Sequence, residues 1–530
     1  MLLSSFSEPG IMRRLPVYLI FLMTLIQFGV EGSLSGNIQA SAQWQEFFGH
    51  PRGSKLGILT AISTLGNMAG NLTAPYFTDR LGRKGSLLIG ACGTVLFVAL
   101  QSAAQNLNWY LASRFFLGFF LLFCHNASPA FLSEFAPTKE RTTVLSCYSP
   151  FYFVGAIVIS WTCYSTVNWT NDWSWRAPSL VQAVPALIQI AAWPFIPESP
   201  RWLALHGKSD EALAVLVRYH GCGVETEAVR DTLQDITDNA KKQHIEQSTS
   251  RWKDLFQNKS FTMRTTIAMV VGIASQWSGN GLISYYIVLI LNSVGITDGK
   301  TQTLFNGMLN VWSLLFCVVI AFAAQKIGRR PIILVGISAM LAVWSVFTGL
   351  SAGYAQTGSQ AMAGGVLAMI YLFNAAYGAA WSSLFMYPVE MWPSGIRAKA
   401  LAAQNVIDYL GLFFNAFVNP IAMDAIAWKY YTVYIVLLAA QLVFAYFTFP
   451  ETRGLSNEEI CDYWDGQVGP VKWTNGPKSK KLLRESQQIS RRRRAAQRIA
   501  ADGTGSLEED VKLASTGSKA GEGDAVVVLV

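Results

Sequence analysis

The sequence predicts an all-α membrane protein with twelve transmembrane helices in two pseudo-symmetric six-helix bundles. The first observation is composition: of 530 residues, 52% are apolar and only 14% are charged, whereas about 25% are charged in an average soluble chain. The second is an internal repeat, because residues 134–141 and 390–397 both read E-x-x-P-x-x-x-R, 256 positions apart. Residues 79–84 and 197–201 return in the same order as residues 325–330 and 450–453, at offsets of 246 and 253. Each copy ends an apolar stretch, so the duplicated unit is a bundle of membrane helices, as in transporters whose site lies between two halves.

Twelve apolar stretches are long enough to cross a bilayer, which takes about 20 residues of helix. They are residues 15–34, 56–77, 86–104, 109–132, 145–166, 178–196, 265–291, 303–324, 331–352, 362–385, 400–422 and 428–449. The chain thus divides into an N-terminus (1–14), a first bundle (15–200), a helical linker (201–262), a second bundle (263–452) and a tail (453–530). In the linker, Ser209 opens an amphipathic run that predicts a capped helix. The polar tail, with its basic run at 491–494, is expected to be largely disordered.

The basic residues between these helices predict an orientation, because cytoplasmic loops are enriched in lysine and arginine. With the N-terminus in the cytoplasm, the inner loops carry Arg80, Arg83, Lys84, Lys139, Arg141, Lys326, Arg329, Arg330, Arg397 and Lys399, and the outer loops carry Arg52, Lys55, Arg176, Lys300 and Lys429. Both termini are therefore expected in the cytoplasm. This bias also explains the net charge of +8 without nucleic acid as a partner. A rival interpretation takes residues 13–42 as a signal peptide, but its cleavage would leave eleven spans and break the symmetry.

Asn168 begins the sequon Asn-Trp-Thr, and the predicted orientation places it in an outer loop. It is therefore the expected glycosylation site, although an unused sequon is the alternative. The sequons at Asn71 and Asn126 fall inside spans, and the one at Asn258 falls on the cytoplasmic side. The seven scattered cysteines predict neither a disulfide framework nor a metal site. Without a phosphate loop or a nucleophile elbow, the chain is not expected to be an enzyme or to need a cofactor.

Several motifs together resemble the sugar-porter branch of the major facilitator superfamily, and within it the fungal lactose-permease and cellodextrin-type members. The most specific is PESPRWL at residues 197–203, which closes the sixth span in that family. The others lie at residues 29–34, 172–176, 276–286, 387–390 with Arg397, and 419–420. The resemblance implies two six-helix halves and alternating access to a central sugar site.

Glu31 and Arg114 are ionisable residues inside predicted spans, where each costs roughly 2.5–3.5 kcal/mol on insertion scales. Such residues are functional candidates by default, and these two lie at similar depths, so they can pair. The resemblance implies that the acid takes up the transported proton, because proton-coupled members carry an acid and an arginine at these places. Here Val30-Glu31 replaces the family's Tyr-Asp. A static ion pair that braces two helices is the alternative.

Asp408 is a second acid inside a span, 11 residues after Arg397 and so about 16 Å deep, near the midplane. It can accept hydrogen bonds from sugar hydroxyls, serve as a second proton site, or simply face a wet cavity. The resemblance assigns the sugar site to uncharged residues as well: Gln276, Asn280, Tyr285, Tyr286 and Trp381. Gly279 and Gly281 are expected to interrupt the seventh helix beside them.

Three further positions are assigned to the site although they differ from the family pattern. Ser149 stands where the wider family has Gln or Asn. Ser313 stands at the place of the family's asparagine, and Asn310 lies one turn earlier. Phe120 and Leu122 replace small glycines in the fourth helix, and these changes point to an altered substrate choice. His125, on the same helix, is expected to be a packing residue rather than a proton relay.

Charged residues at the predicted cytoplasmic helix ends form a separate group. They are Asp79, Arg83, Glu134, Arg141, Glu198 and Arg201 in the first half, and Arg329, Arg330, Glu390, Arg397, Glu451 and Arg453 in the second. The resemblance implies that they pair in the outward-facing state and separate when the protein opens inward, which would set the energy gap between states. Gln325 replaces an expected aspartate, so the second-half network is expected to be weaker.

The sequence therefore predicts a monomeric secondary transporter in the plasma membrane that imports a mono- or disaccharide with protons. Its partners are the sugar, protons and the lipid bilayer. An uncoupled sugar carrier and a carrier of another polyol or secondary metabolite remain alternatives. A non-transporting nutrient receptor that signals through its tail is the alternative from a different class.

Overall fold

The computed structural model describes residues 10–221, 223–451, 460, 461 and 464. The first half contains α1 (Ile11–Ile38), α2 (Ala42–Phe47), α3 (Gly53–Ser102), α4 (Leu107–Phe135), α5 (Thr138–Ser146), α6 (Tyr148–Thr166), α7 (Trp173–Val181) and α8 (Ala183–Ala192). The linker contains α9 (Pro200–Leu205), α10 (Ser209–Tyr219) and α11 (Glu227–Thr249). The second half contains α12 (Lys259–Gln276), α13 (Asn280–Ser293), α14 (Gly299–Ile327), α15 (Arg329–Thr357), α16 (Gln360–Met391), α17 (Ser394–Ile426) and α18 (Tyr431–Thr448).

These helices make the twelve predicted crossings. Eight described helical stretches are long and apolar enough to span a bilayer. Two of them, Gly53–Ser102 and Gly395–Thr448, are long enough for two crossings each. The remaining two crossings are interrupted helices, α7 with α8 and α12 with α13. Several helices continue beyond their apolar stretches, because the polar residues at their ends can stay helical in water or headgroups.

The internal repeat is visible in the backbone. Gly82 (φ 83°, ψ 170°) and Gly328 (φ 98°, ψ 161°) both turn the chain between consecutive crossings in a conformation that favours glycine. Glu198 accepts the backbone N–H groups of Arg83 and Lys84 at 3.0 and 3.1 Å. Glu451 does the same for Arg329 and Arg330, at 3.0 and 3.1 Å. Each glutamate satisfies the free N–H groups at a helix start and places a negative charge at the positive end of the helix dipole.

The linker packs on the end of the bundle that carries Arg83, Arg141 and Arg397, which we call the basic end. The opposite end is called the far end. The helix predicted from Ser209 is present as α10, but its predicted cap is absent: Lys208 occupies the cap position, and no side chain bonds the first turn. The start of α11 follows Thr226, and the tail from residue 465 onward lies outside the described residues.

The two halves touch each other close to the far end. Gln39 donates to the carbonyl oxygen of Tyr285 at 2.8 Å, and Asn310 donates to Oγ of Ser160 at 2.9 Å. Gly36 lies so close to Ser284 that a Cβ atom there would be 2.5 Å from its carbonyl oxygen. Neutral amides and backbone therefore join the halves at this end, without ion pairs in the contacts named here.

Candidate functional site

Glu31 and Arg114 form the predicted pair, inside the first half between α1 and α4. Nη2 of Arg114 lies 3.1 Å from Oε1 of Glu31, and both side chains are almost fully buried. The same nitrogen donates to Oγ of Ser35 at 2.6 Å and to Oγ of Ser63 at 3.4 Å. The ion pair thus uses one guanidinium nitrogen and one carboxylate oxygen, and two hydroxyls hold the arginine as well. This arrangement lets Arg114 keep neutral partners if Glu31 takes a proton.

Asp408 contacts Gln276 across the α12–α17 packing in the second half. Gln276 donates from Nε2 to Oδ1 of Asp408 at 3.0 Å, and Oγ of Ser275 lies 2.5 Å from the same oxygen. Because its Nε2 faces Asp408, Gln276 presents its amide oxygen as an acceptor. Asn415 donates to the backbone carbonyl of Gln276 at 2.6 Å, which fixes the end of α12. The cluster can bind a solute that donates hydrogen bonds, such as a polyhydroxyl compound.

The break in the seventh crossing occurs beside this cluster. Gly279 has φ 96°, which only glycine adopts readily, and a Cβ atom there would lie 2.4 Å from the Trp344 ring. Gly281 does not break the helix, contrary to the prediction; it lies inside α13. Its lack of a side chain instead allows Asn415 to approach, since a Cβ atom would be 2.3 Å from Nδ2.

Trp381 lies on α16 and stacks on Tyr377, one turn earlier, with ring centroids 5.8 Å apart and planes 6° apart. The hydroxyl of Tyr377 lies 3.5 Å from the carbonyl oxygen of Ser275, and the ring is within electrostatic range of Asp408. Two parallel aromatic rings therefore border the polar cluster. Flat aromatic faces with a polar edge suit the apolar face of a pyranose ring.

Tyr152 is a site candidate that the sequence reasoning missed. It lies within electrostatic range of Glu31 in its own half and of Tyr285 and Tyr377 in the other half. The internal repeat contained the signal, because Tyr152 follows Arg141 by 11 residues, as Asp408 follows Arg397. The two residues therefore occupy equivalent places in the two halves. Tyr285 is also within electrostatic range of Glu31 and of Tyr377. Tyr377 is in turn within range of Asp408, so the two tyrosines lie between the two acids.

Other predicted site residues lie elsewhere. Tyr286 is fully buried, and its hydroxyl donates to the carbonyl oxygen of Ala416, so it packs the second half and is removed from the candidate site. Ser313 is also buried and bonds Asn374 at 2.7 Å. Asn310 joins the halves through Ser160. Ser149 is exposed, and Asn280 accepts from Ser284 at 3.3 Å.

The charged residues at the basic end pair within the first half. Arg83 lies 2.9 Å from Glu134 and 3.6 Å from Asp79, and Arg201 lies 4.0 Å from Glu134. Burial raises the pKa of the Glu198 carboxyl, an effect that its backbone N–H donors oppose. Arg141 instead donates to a backbone carbonyl, that of Ala136, at 3.5 Å.

The second half repeats only part of this network in the described residues. Beside the Glu451 contacts, Arg330 donates to the carbonyl oxygen of Tyr446 at 2.8 Å. Arg397 donates to that of Trp392 at 2.7 Å. Arg453 and the side chains of Glu390 and Gln325 lie outside the described part of the structure, so the expected weakening at Gln325 stays a prediction. His125 packs against the Phe28 ring, with centroids 4.6 Å apart.

Comparison with known proteins identifies the fold and the family. The model of the family "Sugar (and other) transporter" matches residues 17–464. A high-affinity glucose transporter of Kluyveromyces lactis is 30% identical over 461 residues, which cover 83% of each chain. The MFS-type transporter criB of Aspergillus cristatus is 26% identical over 82% of this chain and 89% of that protein.

Among solved structures, the inward open conformation of the xylose transporter XylE from E. coli superposes with a TM-score of 0.70. It is 20% identical, and the match covers 85% of this chain and 99% of that one. At this identity the match shows the fold: two halves of six helices, as the repeat predicted. The relatives are transporters rather than enzymes. The chain is a multi-pass membrane protein of the sugar (and other) transporter family, with the fold of the major facilitator superfamily.

Proposed function

We propose that the protein imports a neutral mono- or disaccharide across the plasma membrane by alternating access, with protons as the driving ion. The observation that carries the proposal is the pair of polar centres on opposite sides of the interface between the halves. One is the buried Glu31–Arg114 pair in the first half. The other is the Gln276–Asp408 cluster with its aromatic border in the second half. Family membership and the glucose-transporter relative support a sugar as the substrate.

Proton coupling through Glu31 is supported by the geometry of its ion pair. The carboxylate shares one arginine nitrogen with two serine hydroxyls. A carboxylate that alternates between an arginine partner and a proton prefers a different protonation state in each conformation. Because Gly36 at the end of α1 and Gln39 directly after it touch the second half, protonation of Glu31 can bias contacts between the halves.

The substrate site is proposed to consist of Gln276, Asp408, Tyr285 and Trp381, with Tyr152 and Tyr377 added. These groups offer acceptors, hydroxyls and flat rings, which match vicinal hydroxyls and the faces of a pyranose. The motif resemblance favours the fungal lactose-permease and cellodextrin-type branch, so a disaccharide leads the candidates. The far-end contacts favour an inward-facing arrangement, with the basic end and both termini in the cytoplasm and the linker and tail on that side. In this arrangement Arg83 and Glu134 stay paired within the first half, so these charges do not separate as the resemblance implied.

Uptake of labelled lactose, cellobiose and glucose tests the function directly. In yeast without its own hexose transporters, we expect uptake of at least one sugar that is faster at pH 5 than at pH 7.5 and is abolished by a protonophore. Gln276→Leu keeps the size of the side chain but removes both polar atoms, and an unpaired sugar hydroxyl costs about 1–3 kcal/mol. We therefore expect the KM of this variant to rise about tenfold or more. Ser313→Ala, outside the site, serves as the control and should leave KM unchanged.

A carrier of another metabolite is the second candidate. The exposed Ser149 at a place where the wider family has an amide favours it, as does a relative whose name gives no sugar. With the protein shown at the cell surface, uptake of none of the three sugars would support this candidate and contradict sugar transport.

The proposed orientation predicts that Asn168 is glycosylated. Asn168 is exposed in the turn after α6, at the far end. Asn258 instead caps α12 at the basic end, where its side chain accepts the N–H of Phe261 at 2.9 Å. We expect a deglycosidase to increase the electrophoretic mobility of the wild type and of Asn258→Gln, and to leave Asn168→Gln unchanged. A deglycosidase shift that is lost in Asn258→Gln and kept in Asn168→Gln would instead place the basic end outside the cell and contradict the proposed orientation.

A further inference from the structure

We propose that two buried amide side chains on the basic-end side of Glu31 bind ordered water, and that this water takes up the proton when Glu31 releases it. The two side chains are Gln27 of α1 and Asn67 of α3, which we call the relay layer. The proposal rests on the proposed proton coupling through Glu31 and adds a route for the proton, but the bound water itself can be observed without transport.

The relay layer lies one helical turn from the Glu31–Arg114 pair. Nη2 of Arg114 contacts Glu31 on α1 at 3.1 Å and Ser63 on α3 at 3.4 Å, so the two helices converge at this guanidinium. Gln27 precedes Glu31 by four residues, and Asn67 follows Ser63 by four. Such a step keeps the same helix face and moves about 6 Å along the axis. Because α1 runs away from the basic end and the first crossing of α3 runs towards it, both steps lead to the basic end.

Polar atoms at this level lack hydrogen-bond partners among the described residues. Gln27 is 1% exposed, and neither its Nε2 nor its Oε1 has a partner in this part of the structure. The same is true, within the described residues, of Oδ1 of Asn67 and of Nε and Nη1 of Arg114. These atoms include both donors and acceptors, as a buried water needs for its two to four hydrogen bonds. Because unpaired polar groups are costly inside a membrane, water is the expected partner.

Hydrogen-bonded side chains continue from the relay layer towards the basic end. Thr24 lies three residues before Gln27 on α1, and its Oγ1 is 2.7 Å from Oγ of Ser128 on α4. Gln189 of α8 donates to the same Oγ1 at 2.9 Å. A hydroxyl can donate and accept at once. Water in the relay layer therefore has polar neighbours on the side to which an imported proton must leave.

Release of the proton can be written as a single transfer. Protonated Glu31 gives its proton to the bound water, the remaining carboxylate pairs with Arg114, and the hydronium ion passes its proton to further water on the basic-end side. Glu31 is also within electrostatic range of Tyr110 on α4, Tyr152 on α6 and Tyr285 on α13. Tyrosines are neutral at physiological pH, so Arg114 is the charge that stabilises the carboxylate after release. The route does not pass through the Gln276–Asp408 cluster.

A structure of the full-length protein in lipid nanodiscs, at a resolution that shows water, tests the relay layer without a sugar. We expect density for water within hydrogen-bond distance of the Gln27 amide and of the Arg114 guanidinium. A relay layer without water, with the Gln27 amide bonded to protein groups, would overturn the proposal whatever the protein transports.

Proton-driven sugar uptake into proteoliposomes tests the relay itself. Gln27→Leu keeps the size of the side chain but removes both polar atoms. We expect its initial rate of uptake to fall about tenfold or more, because hydrogen bonds to a charged group are worth that much. Final accumulation and sugar exchange should match the wild type, since Glu31 still takes up a proton. Gln27→Ser, which keeps a hydroxyl and leaves room for another water, should retain more of the rate.

Gln101→Leu is the matched control. Gln101 is 0% exposed, and neither of its amide atoms has a partner among the described residues, but it lies at the far-end terminus of α3. It should leave the initial rate unchanged. A wild-type rate in Gln27→Leu, or an equal fall in Gln101→Leu, would overturn the relay, and so would loss of exchange in Gln27→Leu. If Glu31→Gln accumulates sugar as the wild type does, the proposed coupling fails, and the density beside Gln27 still decides whether the relay layer binds water.

Discussion

Glu31→Gln is expected to lower steady-state sugar accumulation by about tenfold for each pH unit of an imposed gradient. One pH unit and a tenfold concentration ratio both correspond to about 1.4 kcal/mol, so each coupled proton supports that much accumulation. Glutamine keeps the size of the side chain and can still accept from Arg114, but it takes up no proton. Exchange of labelled for unlabelled sugar across the membrane, which needs no net proton movement, should therefore survive. Uptake into proteoliposomes with an acidic exterior measures both quantities.

Glu46→Gln provides the matched control for that experiment, because Glu46 is an exposed acid on the short helix α2. It should accumulate sugar as the wild type does. Accumulation by Glu31→Gln equal to that of the wild type would contradict coupling through Glu31 and leave the Glu31–Arg114 pair as a structural brace. Loss of exchange together with accumulation would also count against it, since the residue would then be needed for substrate binding or for the conformational change itself.

The fold follows from the sequence because its signals are long-range and redundant. Twelve apolar stretches and three repeated motifs place the helices in two halves, and the matching turns at Gly82 and Gly328 follow from those motifs. The Glu31–Arg114 pair was also predictable, because few ionisable residues lie inside the spans and their depths can be counted from the helix direction. The apolar membrane interior thus restricts both the fold and the number of charged residues inside the spans.

The direction of each side chain was harder to predict. Tyr285 and Tyr286 are neighbours in sequence, but the helix is kinked at Tyr286 (φ −130°) and the Tyr286 ring is buried. Gln276 and Asp408 are 132 residues apart, and their hydrogen bond depends on how α12 packs against α17. Depth follows from counting along a helix, whereas the face that a residue presents depends on breaks and on neighbouring helices.

The polar contacts are organised differently at the two ends of the molecule. At the basic end, charged groups pair within one half, as Arg83 and Glu134 do. At the far end, neutral amides pair between the halves, as Asn310 and Ser160 do. Neutral contacts cost less to break than buried ion pairs, because breaking a buried ion pair leaves uncompensated charges. A transporter that opens and closes can therefore keep rigid, charged supports within each half and exchange the weaker contacts between them.

Glu140→Ala is expected to destabilise the first half by about 3–5 kcal/mol, the cost of breaking a buried ion pair. Glu140 lies in the first turn of α5 and binds Arg14 of α1 through two contacts, at 2.5 and 3.2 Å, and both side chains are 2–3% exposed. Tyr18 donates to the same carboxylate at 2.9 Å, and Arg14 also donates to the carbonyl oxygen of Tyr219 in the linker at 2.7 Å. The alanine variant leaves Arg14 buried with only the last of these partners. The sequence did not reveal this group, because Arg14 and Glu140 lie outside the predicted spans, where charged residues are not unusual.

The Tm of the purified protein in detergent measures this effect, and two variants make the result specific. Glu211→Ala breaks an exposed pair with Lys208 in α10, whose side chains are 49–61% exposed, and such pairs are worth at most about 1 kcal/mol. It should leave the Tm nearly unchanged. The double variant Arg14→Leu with Glu140→Leu removes both buried charges and should recover much of the stability that Glu140→Ala loses, because no unpaired charge remains. Equal loss of stability in the single and double variants would show that the contacts to Tyr18 and Tyr219, rather than the buried ion pair, hold α1, α5 and the linker together.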